Sequence, residues 1–234
     1  MWLSLVEHRV RDAGVVGSNP ITPTIFLLNP EVTEATPTGG LLCFCAYVSH
    51  MTQAHLPNPS DVISFWIKAG PEKWFAKDDS FDREFKSSFL DAHYAAARRE
   101  LDFWMDTADG ALALLILLDQ FPRNCFRNTG HMFATDPLAL YFTRQAISRN
   151  YQHDVDSELL PFVLMPLMHS EILQDQNDLI DLLDENTHKN TYDYAVIHRD
   201  VIARFGRFPH RNAALGRDTT ADESAFLKEG GFSG

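Results

Sequence analysis

TADGALALLILLDQFPRN, residues 107–124, decides the fold. Thr107 can open a helix, and every position from Ala111 to Leu118 is apolar. A surface helix keeps a polar face, so a helix that is apolar all round is expected to be buried on every side. Eight apolar residues fall well short of the roughly 20 that a bilayer span needs. The segment therefore reads as the central helix of a soluble core. Asp119 and Gln120 end that helix, where buried polar groups must find partners. Pro122 has no N–H to donate and is expected to close it.

The flanks repeat the helical pattern. Asn58-Pro59-Ser60-Asp61 supplies a cap, a first-turn proline and an acid suited to the helix dipole. Val62, Phe65, Trp66 and Ala69 follow at helical spacing, and Gly70-Pro71 stops them. Trp74-Phe75 is expected to anchor the chain by its aromatic rings. A long helix then runs from Asp79-Ser80 to about Arg99, with Phe81, Phe85, Phe89 and His93 on one stripe. Downstream, Asp136-Pro137 reads as a cap followed by proline. A helix over about 158–165 is closed by Pro166, another begins near Ser170, and a long one spans about 191–207. Thr220 and Glu223 form a capping box for a final short helix. No run of alternating Val, Ile or Thr suggests a sheet, so residues 58–228 are expected to form a single all-α domain.

Residues 1–50 do not fit this pattern. They hold four prolines and the Gly39-Gly40 pair, with no persistent period. Gly17-Ser18-Asn19-Pro20 can be encoded as GGT-TCG-AAT-CCC, which resembles the T-arm of transfer-RNA genes. The segment is expected to be a non-fold extension. It is either read-through of such a gene, with translation starting at Met51, or a disordered tail.

Charge and cysteine usage exclude some classes. A formal charge of -12 repels phosphate backbones and anionic membranes, so neither nucleic acid nor membrane is an expected partner. Cys43, Cys45 and Cys125 give no disulfide framework, and a reducing, cytoplasmic setting is expected. The sequence does not set the oligomeric state.

Three polar clusters carry what chemistry there is. The first is Asp119, Gln120, Arg123 and Asn124. The second is His169, Ser170 and Glu171. The third runs from His198 through Arg204 and Arg207 to His210, Arg211 and Asn212. On a helix Asp200, Arg204 and Arg207 would share one face as a cationic ridge, while His198 joins Val201, Ile202 and Phe205 on an apolar face. Five arginines and one acid lie between His198 and Arg217. Arginine forks match carboxylates and phosphates. The same residues also suit a structural role: Asp200–Arg204 as an ion pair, Arg207 and Arg211 at a helix C-terminus, and a buried Asp119 recruiting an arginine. Ser170 and Glu171 are explained by capping. No dinucleotide fingerprint, phosphate loop or nucleophile elbow occurs, and no metal or cofactor is expected.

These strings, with Phe65-Trp66, Trp74-Phe75 and the run Phe133-Ala134-Thr135-Asp136, resemble the bacterial family known as domain of unknown function 924. The resemblance covers about residues 58–228. It implies antiparallel helix pairs stacked in an arc like tetratricopeptide repeats, and no established activity. A stacked arc would offer a concave surface, so the first expectation is a binding module for a small anion or an acidic peptide. Asp119, Gln120, Arg123, His169, His198, Arg207 and Arg211 would line it. The rival expectation is an enzyme in which His169 or His198 works with Glu171 or Asp119, and the arginines stabilise negative charge. In a third reading every cluster only ties helix ends together.

Overall fold

The computed structural model describes residues 56–232, so the expectations for residues 1–50 fall outside it. Helix α1 (Pro59–Ala69) is closed at its start by the reciprocal Asn58/Asp61 capping box and at its end by Gly70. Trp66, fully buried on α1, receives the Trp74 indole N–H on its carbonyl at 2.7 Å. Trp74 is thus the anchor. Phe75 is 68% exposed and stacks on Phe162 from outside. Helix α2 (Asp79–Ala97) buries Phe81, Phe85, Phe89 and His93 on one stripe.

Helix α3 (Ala108–Leu115) starts at Thr107, whose hydroxyl accepts the Gly110 N–H. Gly110 has to be glycine, because a Cβ there would lie 2.0 Å from the Trp104 carbonyl oxygen. Residues Ala111 to Leu118 are at most 1% exposed. Each such Leu or Ile stabilises the fold by about 1.5–3 kcal/mol relative to exposure. Around this axis pack α1, α5 (Asp136–Ser148) and α6 (Leu160–Met168).

Pro122 does not end the central rod. The rod widens into one π turn, Ile116–Gln120, and continues as α4 (Phe121–Cys125) with Pro122 in its first turn. The Phe121 N–H reaches back to the Ile116 carbonyl. Proline has no N–H for the next acceptor, so nearby carbonyls need other donors. Side chains supply them. His93 Nδ1 donates to the Leu117 oxygen at 2.9 Å, the Thr135 hydroxyl to Leu118 at 2.5 Å, and Arg123 Nη1 to Asp119 at 2.8 Å. The π turn therefore collects polar side chains from three elements at one end of an apolar rod, a setting in which such bulges often mark function.

Pro166 likewise lies inside α6, which runs on to Met168 with the His169 N–H bonded to the Met165 carbonyl. The residue preceding α5 is Thr135, and Asp136 sits in its first turn. Helices α7 (Leu173–Leu182) and α8 (Lys189–Phe205) pack against one another, and α6 touches both. Gly206 ends α8 in the left-handed conformation at φ 67°. Helix α9 (Ala221–Lys228) opens with the expected Thr220/Glu223 box. The described residues are all-helical and contain no strand. None of their helices is long and apolar enough to cross a membrane.

Candidate functional site

The site forms where the π turn meets the end of α6 and the turn after α8. Asp119 is 1% exposed. Its Oδ1 accepts from His169 Nδ1 at 2.7 Å and lies 3.1 Å from Arg123 Nη1. Its Oδ2 accepts from Gln120 Nε2 at 2.6 Å. Arg123 forks onto Asp136 at 2.8 and 3.0 Å. Asp136 Oδ2 also accepts from Arg211 Nη1, at a longer 3.3 Å. The Arg211 guanidinium lies between two rings, Phe208 at 4.5 Å and Phe133 at 4.7 Å. The Phe208 ring is 5.5 Å from that of His198, and His198 is 6.5 Å from His169. The circuit closes: His169, Asp119, Arg123, Asp136, Arg211, Phe208, His198.

Glu171 braces this ring. It accepts the Phe208 N–H at 2.9 Å and both arms of Arg217 at 2.8 and 2.9 Å. It therefore ties a distant turn down and does not cap α7. Ser170 accepts the Ile172 N–H and donates to Asp175. His210 stands 5.6 Å from the Phe208 ring.

Charge states follow from burial and neighbours. Burial alone would raise the Asp119 pKa, but Arg123 and then His169 outweigh it and bring it to about 2. Burial and then Arg123 lower the His169 pKa despite Asp119. Asp119 is thus an anion and His169 a neutral ring at pH 7. An ionised carboxylate only accepts, so the hydrogen sits on His169 Nδ1 and the lone pair on Nε2. Among the described residues Nε2 has no hydrogen-bond partner. His198 is held near 3 by burial, with Nδ1 donating to the Tyr194 carbonyl at 2.7 Å. Burial and then Arg211 hold His210 near 4. Arg211 itself falls to about 10, through burial and then Arg123.

The three sequence clusters converge only in part. Asp119, Gln120, Arg123, His169, Glu171, His198, His210 and Arg211 meet at or beside the ring. Asn124 turns away and donates to Asp82 on α2 at 3.0 Å. Arg204 is exposed and lies over Phe205 and Phe226. Arg207 forks onto Glu223 and also reaches the Asp218 carbonyl. The expected ridge of Asp200, Arg204 and Arg207 does not form, because α8 stops at Phe205 and the left-handed Gly206 breaks the register. Asp200 pairs instead with its neighbour Arg199.

The local excess of arginine is also neutralised from afar. Asp136 meets Arg211, Glu171 meets Arg217, and Glu223 meets Arg207. What survives is a set of unfilled valences. Among the described residues, the Nε of Arg211 and the Nδ1 of His210 are buried with no partner. Sequence reasoning did not bring Asp136, Phe133, Phe208 or Arg217 to the site. Asp136 reads locally as a helix start, and nothing near it in sequence signals its two arginines.

The model for a family described as bacterial protein of unknown function (DUF924) matches residues 62–231. A solved structure of a protein of unknown function from Agrobacterium tumefaciens is 50% identical. It covers 73% of this chain and 97% of its own, with a TM-score of 0.71. None of the curated proteins compared matches.

Proposed function

The chain belongs to the bacterial family DUF924, and from its site we propose that it binds a small oxyanion, a carboxylate or phosphoryl group, with Arg211 as the anchoring cation. The observation that carries this reading is the unfilled donor of Arg211. Its side chain is only 7% exposed, yet among the described residues its Nε has no acceptor and its one ion pair is 3.3 Å long. A buried donor without an acceptor costs about 1–3 kcal/mol, more when charged. A bound oxyanion would remove that cost, and the two flanking rings would hold the guanidinium plane in register. Arg123 is a poorer anchor, since two carboxylates already occupy it. Arg207 is committed to Glu223.

Thermal melts at fixed ionic strength with inorganic phosphate, sulfate and succinate test the reading. A ligand at about 100 times its Kd stabilises by ~2.7 kcal/mol, a rise of roughly 5–10 °C for a domain of this size. Arg211→Gln should abolish the rise, and Arg207→Ala should retain it. No rise with any of the three anions would sink the proposal and assign the Arg211 donor to ordered water.

A further inference from the structure

We propose that His169 is a nucleophile whose Nε2 accepts a phosphoryl group from a small phosphoanhydride, such as an acyl phosphate, with Asp119 as its positioning residue. The inference rests on the oxyanion reading of Arg211 and deepens it.

The ring contains two histidines and a third, His210, stands beside it; only one of the three suits the task. His169 has a free Nε2 lone pair and a carboxylate bonded to Nδ1 at 2.7 Å. When Nε2 forms a bond, the imidazole becomes cationic, and Asp119 stabilises that charge as the carboxylate of a triad does. His198 also keeps a lone pair on Nε2, but its Nδ1 faces a backbone carbonyl. Its ring is further packed by Phe232 at 4.3 Å and Phe208 at 5.5 Å. His210 has an unpartnered Nδ1, so nothing fixes its tautomer. His169 remains partly open, with 13% of its side chain exposed.

Phosphorus follows from the partner. A ligand held through an oxyanion by Arg211 presents either carboxylate carbon, which resists attack, or phosphorus, which accepts it. No hydroxyl or thiol belongs to the described ring. Beside it, Ser170 spends its hydrogen on Asp175 at 2.5 Å and Thr135 spends its own on the Leu118 carbonyl.

The step balances without an added acid. The Nε2 lone pair attacks phosphorus and forms the N–P bond. The bridging P–O bond breaks, and its electron pair leaves on the acid as a carboxylate. The Nδ1 hydrogen stays shared with Asp119. Water then attacks phosphorus, the N–P electrons return to Nε2, and the water's proton passes to solvent as phosphate departs.

The full chain would be incubated with acetyl phosphate. The expected result is an acid-labile adduct with the mass of one phosphoryl group on His169, or His169-dependent consumption of acetyl phosphate if the adduct turns over. His169→Asn and His169→Gln should lose both, while their phosphate-induced melting shift shows the site still folded. Asp119→Asn should slow the step roughly tenfold or more. It should also move the acid limb of the pH–rate profile to lower pH, because the imidazole loses its anionic neighbour. Neither adduct nor consumption in a chain that phosphate still stabilises overturns the nucleophile and leaves anion binding intact. An adduct on another histidine overturns it as well. No response to acetyl phosphate together with no melting shift from phosphate, sulfate or succinate overturns both proposals.

Discussion

Two polar knots flank the same π turn, and they differ in what they leave unfinished. In one, Asp82 of α2 accepts from Asn124 at 3.0 Å and from Arg127 at 2.8 and 3.3 Å, and Arg127 also reaches the Ala76 carbonyl. In the other, Asp119 gathers Gln120, Arg123 and His169. Both are carboxylates recruiting arginine and amide donors near a helix end. The Asp82 knot closes on itself. The Asp119 knot extends through Asp136 to an arginine with an unfilled donor and leaves a histidine lone pair free. An ion pair in the interior is thus no sign of a site. Valence left over after pairing is a better one.

Removing each carboxylate would separate the knots most strongly. Asp119→Ala leaves Arg123 without one of its two carboxylates and frees the His169 ring, at 1% exposure of the lost group. Breaking a buried pair from one side costs about 3–5 kcal/mol. Asp82 is 13% exposed and its arginine 30%, so Asp82→Ala should cost about 1–3 kcal/mol. Urea melts of the two variants measure the gap. Equal losses would erase the distinction in burial between the knots.

Acid titration sharpens the comparison next. His198 and His210 are held near 3 and 4 when folded, against about 6.5 when unfolded. The unfolded chain therefore binds protons first as pH falls. Their contribution to stability is full above about pH 7 and is lost as pH drops through 6.5 toward those folded values. Between pH 7 and pH 5 the two histidines together should lose on the order of 4 kcal/mol. Asp119 works in another window. Its folded pKa near 2 is depressed, so its contribution persists down to about pH 4 and fades only below. Melts between pH 7 and 5 should slope, and His198→Gln should reduce the slope by about half, with His210 carrying the rest. An unchanged slope in that variant would mean that the ring does not govern acid sensitivity.

Much of the fold was legible because local rules write it. The Asn58/Asp61 and Thr220/Glu223 capping boxes, the Phe81–Phe85–Phe89 stripe and the buried run Ala111–Leu118 all depend on residues within a few positions of each other. The prolines misled because context decides their effect. Pro122 forces a break only if no donor replaces its N–H, and His93 and Thr135 come from distant sequence to serve the Leu117 and Leu118 carbonyls. The site was half legible for the same reason. Asp119, Arg123 and His169 stand out as polar groups beside apolar runs. Asp136, which lies 75 positions from Arg211 and joins it to Arg123, does not.

The smallest effect concerns the arginine that composition favoured and geometry removed. Arg204 lies in the last turn of α8, one residue before its end, where a cation suits the dipole. Its guanidinium carbon is 4.6 Å from the Phe205 ring and 5.4 Å from Phe226, with no carboxylate among its described partners. An exposed cation–π contact is worth about 0.5–1 kcal/mol, so Arg204→Ala should cost no more than that. The variant removes the same formal charge as Arg211→Gln, yet the phosphate-induced melting shift should stay at its wild-type size. If Arg204→Ala instead halves the shift, anions respond to the summed arginine field of residues 198–217. The unfilled donor of one buried guanidinium would then not be what selects them.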